Sequence, residues 1–280
     1  MDWQQAQKEL ITQLIPLYGD REAAVIADWT MENLSGWKKI DRLLHRSAPL
    51  SPQTLNTYQK YTRELLAHRP VQYVLHESWF AGMKLYVDEN VLIPRPETEE
   101  LVDWILSSHP TNNILDVGTG SGCIALALAK NLPSAKIHAC DISPNALAVA
   151  RRNATTQNLP LTLHQLDFLD PKSWETLPPI DCLVSNPPYI PIREKAEMAA
   201  HVIDFEPNQA LFVPDNDALV FYRALSRFAQ QRLPKGGQLF VEIYEEMGLQ
   251  VQQLFREAGL TDVTLRQDFQ GKDRMVKATR

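Results

Sequence analysis

Asn186-Pro187-Pro188-Tyr189 places a primary amide, a rigid corner and an aromatic ring within four residues. The prolines remove two backbone donors and hold two φ angles, so the turn is stiff. An amide before such a corner and a ring after it suit a flat group that carries an amino nitrogen. A bare Pro-Pro is more often an ordinary turn, so the motif draws its meaning from the rest of the chain.

A second cluster precedes it. Ile114-Leu115-Asp116-Val117 runs into Gly118-Thr119-Gly120-Ser121-Gly122. Glycines at alternate positions let the backbone turn tightly and let a ligand approach. Asp141 closes the next apolar run, where a carboxylate can accept both ribose hydroxyls of an adenosine ligand. Asp167-Phe168 follows the third run. The Phe168 ring suits an adenine face, and a plain core aromatic is an equal alternative. Position 123 is Cys, which breaks the dinucleotide spacing, and no Gly-Lys-Ser/Thr follows. With no pyrophosphate to cradle, S-adenosylmethionine fits better than NAD.

These residues need a scaffold that brings strand ends together. The spacing predicts strands over Asn113–Val117, Lys136–Ile142, Leu161–Gln165, Ile180–Ser185, Gln238–Ile243, Asp262–Arg266 and Met275–Ala278. Helices are expected between most of them, over Cys123–Asn131, Pro144–Gln157, Ala218–Gln231 and Glu246–Ala258. Alternation of this kind specifies an α/β fold with a mostly parallel sheet covered on both faces. Residues 190–216 show no clear period and read as a functional loop or lid.

The first ~70 residues read as helices only. Trp3, Ala6, Leu10, Leu14 and Leu17 recur at helical steps. Asp20 is expected to cap a second helix that ends near Gly36, a short third helix is expected over Trp37–His45, and Ser51-Pro52 starts another. Ser78–Phe80 and Lys84–Val87 are expected to pair across a turn at Ala81-Gly82. The division expected is a helical domain at 1–75, a hairpin linker at 76–95 and an α/β domain at 96–280.

The net charge of −6 argues mildly against duplex DNA as the main partner. No apolar run approaches a membrane span, and Met1-Asp2-Trp3-Gln4 does not begin a signal region. Cys123, Cys140 and Cys182 give no disulfide framework or metal spacing. The seven histidines form no ligand spacing, so no metal is assigned. Together these points favour the cytoplasm.

With the glycine loop, Asp141 and Asn-Pro-Pro-Tyr in place, the chain resembles the class I S-adenosylmethionine methyltransferases that modify amino nitrogens. More narrowly, it resembles the PrmC/HemK family of protein-(glutamine-N(5)) methyltransferases. The likeness runs over nearly the whole chain. It takes in Pro70-Val71-Gln72-Tyr73, the run Val91 to Glu99 (VLIPRPETE), Asp116 to Gly122, Asn186 to Ile190 and Glu206-Pro207. Asn-Pro-Pro-Tyr alone occurs across adenine, guanine and glutamine methyltransferases; VLIPRPETE beside a helical N-terminus is far more specific. The chain departs from the family at Val74-Leu75-His76 and at Tyr244, where the family has glycine. Tyr244 is expected to narrow the space behind the cofactor or to alter a turn.

The resemblance implies a Rossmann-like class I fold with a seven-stranded, mostly parallel sheet and a small N-terminal helical bundle that docks the protein substrate. It implies methyl transfer to the glutamine of the Gly-Gly-Gln motif in class I peptide chain release factors, with no stable nucleic-acid binding. The implied cofactor residues are Gly118, Thr119, Gly120, Ser121, Gly122, Asp141, Phe168 and Asn186. Asn186, Pro187, Pro188 and Tyr189 would hold the substrate, with Asn186, Pro187 and Tyr189 catalytic. The Asn186 side-chain oxygen and the Pro187 carbonyl would accept the two amide N–H bonds, and Tyr189 would pack on the amide plane. Arg95, Glu97 and Thr98 either close over the ligands or cap a helix. Competing acceptors are a glutamine of a ribosomal protein and an exocyclic amine of adenine or guanine after base flipping. A non-catalytic adenosine-binding module is opposed by the intact tetrad.

Overall fold

The computed structural model describes residues 1–109, 112–198 and 200–280. They form two compact units.

The first unit comprises Met1–Glu77 together with the short helix Ala200–Phe205. It begins with α1 (Trp3–Ser35), started by a reciprocal Asp2–Gln5 capping box and ended at Gly36 in the left-handed region. The two helices expected here run into one another across Gly19, whose φ of 74° and ψ of 170° kink the axis. Then come α2 (Lys39–Leu44), α3 (Pro52–Leu66) and α4 (Val71–Leu75). Ser51 caps α3 and Pro52 occupies its first turn, as expected. α4 is too short for periodicity to announce. Leu10, Leu14, Ile26, Met31, Tyr58 and Leu65 make the unit's core, and the Tyr58 hydroxyl donates to the Ala6 carbonyl at 3.1 Å.

The second unit begins with a hairpin of β1 (Ser78–Phe80) and β2 (Met83–Leu85), turning at Ala81 and Gly82, both at positive φ. That is the turn whose twist matches paired strands. Phe80, Met83 and Leu85 are buried in this unit's core.

The remaining elements are α5 (Pro96–Ser107), β3 (Asn113–Val117), α6 (Cys123–Asn131), β4 (Lys136–Asp141), α7 (Pro144–Gln157), β5 (Thr162–Gln165) and β6 (Cys182–Ser185). After them come β7 (Ile190–Pro191), α8 (Ala200–Phe205, in the first unit), α9 (Asn208–Leu211), β8 (Phe212–Val213), α10 (Val220–Arg232), β9 (Gln238–Glu242), α11 (Gly248–Glu257), β10 (Thr261–Gln267) and β11 (Asp273–Thr279). The described residues form a seven-stranded sheet in the order β10-β11-β9-β6-β3-β4-β5. Its pairings from β5 to β9 are parallel, and β11 runs antiparallel to both its neighbours.

Burial alternates along the strands. Leu115, Leu183, Leu239 and Val241 pack on one face; Ile114, Val184 and Phe240 pack on the other. The chain reads β3 to β4 to β5 on one side, then crosses back to β6 on the other. β3 therefore flanks a switch point, where open α/β sheets carry their ligand crevice.

Residues 190–216, expected as a functional loop or lid without clear period, carry short elements. β7 pairs with β8 in parallel, and a 3-10 turn and α9 lie between them; Ala199 lies outside the described residues. None spans enough residues to show a period.

Candidate functional site

Three glycines make the bend after β3. Gly118, Gly120 and Gly122 have φ of 71°, 53° and 80°, where a side chain is strained. The loop is tied to the next strand, because Gly118 N and Thr119 N both donate to the Cys140 carbonyl at 2.9 and 3.0 Å. Buried Asn153 holds it from behind: its Nδ2 donates to the carbonyls of Ser121 and Tyr86, and its Oδ1 accepts from Tyr86 N. Asn153 lay in an expected helix, and nothing in its spacing pointed to this.

A cavity of about 340 Å3 opens at the carboxyl ends of β3 to β6. Gly118, Thr119, Gly120, Ser121, Asp141, Phe168, Asn186, Pro187 and Pro188 lie on its wall. Two expected site residues do not. Gly122 faces α7, where a Cβ would come within 3.2 Å of the Ala150 methyl, so it serves helix packing. Tyr189 packs on the core, its hydroxyl donating to Glu242 Oε1 at a long 3.5 Å. Tyr244 is also off the wall. Its ring stacks on Tyr189, so it does not narrow the space behind a cofactor.

Asp141 ends β4 with its carboxylate oriented. Gly120 N donates to one oxygen at 3.0 Å and Ser143 N to the other at 2.9 Å. Each oxygen keeps a lone pair for a further donor. Burial raises this carboxyl above its ordinary range despite those donors. Phe168 reconciles both readings offered for it. It is buried against Trp174 and Phe228, and it also reaches the cavity wall.

The segment before and into α5 supplies a further part of the wall. Asn90, Val91, Leu92, Pro94, Arg95 and Thr98 line it. Buried Glu206 fastens this segment, accepting from Arg95 Nη2 at 2.5 Å and from Ile93 N at 3.2 Å.

The tetrad is tied to the sheet through Thr98, whose role the motif left open, and Glu242, which motif reading did not assign to the site. Asn186 Nδ2 donates to Thr98 Oγ1 at 3.1 Å, and Thr98 Oγ1 donates to Glu242 Oε2 at 2.6 Å. Glu242 is buried, and burial pushes its carboxyl up to about 7 against the hydrogen bond from Thr98 and the charge of Arg274. A carboxylate ending the apolar run Leu239-Phe240-Val241 was the available signal.

The wall fits an adenosine ligand with a sulfonium arm. It pairs an oriented carboxylate and a flat aromatic with a glycine bend, where a methyl on Gly118 or Gly120 would meet nothing within 4 Å. Among the described residues Ser121 Oγ, buried and on this wall, has no hydrogen-bond partner. A buried polar atom of that kind calls for one.

Family models agree with this reading. The methyltransferase small domain matches residues 97–212, and the PrmC N-terminal domain matches residues 5–75. The fold is shared with the hMettl16 catalytic domain solved with MAT2A 3'UTR hairpin 6, at a TM-score of 0.57, 14% identity and 82% coverage of each chain. It is shared too with the T. thermophilus 16S rRNA methyltransferase RsmC solved with AdoMet and guanosine, at 0.53, 15%, and 73% and 49% coverage. Sheet order, glycine bend and crevice define a class I S-adenosylmethionine-dependent methyltransferase, with S-adenosylmethionine as cofactor.

Sequence relatives narrow the class. The chain is 38% identical over 275 residues to the release factor glutamine methyltransferase of Flavobacterium psychrophilum, covering 96% of each chain. The protein of that name from Bacteroides thetaiotaomicron is 37% identical over 265 residues, 94% of this chain and 95% of that protein. Its Streptococcus pneumoniae counterpart is 44% identical over 218 residues, 76% of each. The chain belongs to the release factor glutamine methyltransferase family.

Proposed function

We propose that this chain methylates the side-chain amide nitrogen of the Gly-Gly-Gln glutamine in class I peptide chain release factors, in the cytoplasm. The relatives' shared activity supports the substrate. Among the described residues, no helix is long and apolar enough to cross a membrane. The observation that supports the site chemistry is the hydrogen bond from Asn186 Nδ2 to Thr98 Oγ1, which commits the amide nitrogen and leaves the oxygen of this cavity-lining residue as the end able to accept from a substrate.

An amide nitrogen is a poor nucleophile because its lone pair is delocalised into the carbonyl. Bound S-adenosylmethionine supplies an electrophilic methyl on a sulfonium. Gly118, Thr119, Gly120, Ser121, Asp141 and Phe168 would hold the cofactor, with Asn186 at its edge. The Asn186 amide oxygen and the Pro187 carbonyl accept the two N–H bonds of the glutamine amide and aim its nitrogen. Two acceptors on the N–H bonds favour a localised lone pair, and the Pro187 carbonyl is held because its own ring fixes φ and the following Pro188 restricts its ψ. Positioning of this kind supplies a large share of a rate without a titrating base, and the proton that the nitrogen gives up on taking the methyl passes from its acceptor to solvent. Pro188 stiffens the turn, and Tyr189 anchors it to the core. Pro207, Gln209 and Ala210, which reach the cavity, would lie against the substrate. The helical unit would dock the release factor.

The test is mass spectrometry after incubation with labelled cofactor and three pools: release factor, ribosomal proteins and nucleic acid. A methyl on the release-factor glutamine is expected, with Asn186→Ala abolishing transfer while binding cofactor. Label on nucleic acid alone, or full turnover by Asn186→Ala, overturns the reading.

A further inference from the structure

We propose that Glu242, acting through Thr98, is a positioning residue that fixes which end of the Asn186 carboxamide faces the substrate. The inference rests on the reading of Asn186 as the acceptor for the substrate amide and adds what makes it one.

A carboxamide can turn over about its last bond and exchange its oxygen for its nitrogen. Only the hydrogen bonds around it decide the orientation. Thr98 Oγ1 has one proton, and at 2.6 Å that proton goes to Glu242 Oε2, because a carboxylate has none to offer. What remains on Thr98 Oγ1 is lone pairs. Asn186, 3.1 Å away, meets them with its NH2 group. The carbonyl end is thereby sent to the cavity. Thr98 and Glu242 are each 2% exposed, so water does not compete for these bonds. The second oxygen of the carboxylate accepts from Tyr189, so one buried group holds both polar ends of the tetrad.

The groups around Glu242 set when the arrangement holds. Thr98 and Glu97 face it from α5, Arg274 from β11, Tyr189 from the turn after β6, and the Tyr222 hydroxyl of α10 donates to its main-chain carbonyl. Arg274 is shared with Asp268 and Glu245. Burial outweighs these supports and pushes the carboxyl up to about 7. A protonated Glu242 donates to Thr98 Oγ1, which frees the Thr98 proton to meet Asn186 Oδ1. The amide then presents NH2 to the substrate and repels it.

The experiment measures kcat, KM and cofactor affinity of the full chain with release factor between about pH 6 and 8.5. Wild-type kcat falls with pH through about 7. Thr98→Val loses roughly 10- to 100-fold in kcat, keeps its cofactor affinity, and shows no inflection there. Thr98→Ser restores most of the rate and the inflection. Thr98→Val with wild-type kcat and pH profile overturns the proposal, as does Thr98→Ser behaving like Thr98→Val. Glu242→Gln is a second probe, expected to lose kcat and the inflection; if it does not fold, the Thr98 pair still decides. Asn186→Ala in the same assay separates the two levels. If it is inactive while Thr98→Val is fully active, only the relay fails; if it is fully active, the acceptor reading fails.

Discussion

The rings of Tyr189 and Tyr244 lie 17° from parallel, with centroids 6.1 Å apart. One belongs to the Asn-Pro-Pro-Tyr turn; the other stands where the resembled family carries glycine. Both rings are off the cavity wall and pack against the core, so the stack gives the turn an aromatic backing. Such a pair contributes about 0.5–1.5 kcal/mol beyond its burial. Tyr244→Ala is expected to lower kcat/KM for release factor roughly 2- to 10-fold and to leave cofactor affinity alone. Tyr244→Phe keeps the stack and the rate. Steady-state kinetics with calorimetry of cofactor binding checks this, and a changed cofactor affinity in Tyr244→Ala would sink it.

The glycine bend separates binding from packing. Gly118 has φ of 71° and open space around its Cβ position, on the cavity wall. Gly118→Ala costs strain of about 1–2 kcal/mol and puts a methyl where the ligand approaches. Gly122→Ala adds a 3.2 Å contact with Ala150 to similar strain. Thermal melting should fall more for Gly122→Ala, and cofactor affinity should fall more for Gly118→Ala. Equal affinity losses at both positions would argue against the assignment.

What the sequence declared and what it hid divide along the range of the interactions. Glycine spacing and the acid at the end of β4 are local, and they placed Gly118, Gly120 and Asp141 on the wall. Short apolar runs alternating with helical segments placed the sheet, because strands buried on both faces are apolar over their own few residues. Thr98 and Glu242 are 144 residues apart, and Ile93 and Glu206 are 113 apart. No local pattern announces such partners, so the Thr98 hydroxyl read equally well as a cap or a clasp. Gly122 shows the converse: a motif position whose neighbour, Ala150, only the packing of α6 on α7 supplies.

Asp116 gives the fold a pH signature. It is fully buried in β3, Thr119 Oγ1 donates to one oxygen at 2.6 Å, and among the described residues the other oxygen has no partner. Burial pushes its carboxyl from 3.8 to about 7. The folded chain therefore holds this proton more tightly than the unfolded chain does. The contribution to stability is full below about 3.8 and is lost as pH rises through about 7. Glu242 acts in the same direction. Asp116→Asn removes the charge, so its melting temperature relative to wild type should rise between about pH 5.5 and pH 8.5. A difference that stays flat or falls contradicts the argument.

The Glu206 clasp leads us to expect that cofactor affinity depends on a residue that does not line the cavity. Its carboxylate takes Arg95 Nη2 on one oxygen and Ile93 N on the other, and it is 3% exposed. Between and beside those donors stand Leu92, Pro94 and Thr98, which line the cavity. Two proline rings, Pro94 and Pro96, make the segment stiff, so fastening it at two points fixes its course. Glu206→Gln turns one acceptor into a donor and sets it against a donor that cannot leave. Hydrogen bonds to a charged group are worth about 1.5–3 kcal/mol, and Arg95 is about one-third exposed, which lowers that toward the bottom of the range. The segment should then loosen, and cofactor affinity should fall about tenfold while the sheet still melts cooperatively. Calorimetry with S-adenosylmethionine reads the affinity; limited proteolysis across residues 88–98 reads the loosening. Unchanged affinity with a lowered melting temperature would make the clasp purely structural. Unchanged proteolysis with lost affinity would place the effect elsewhere than in this segment.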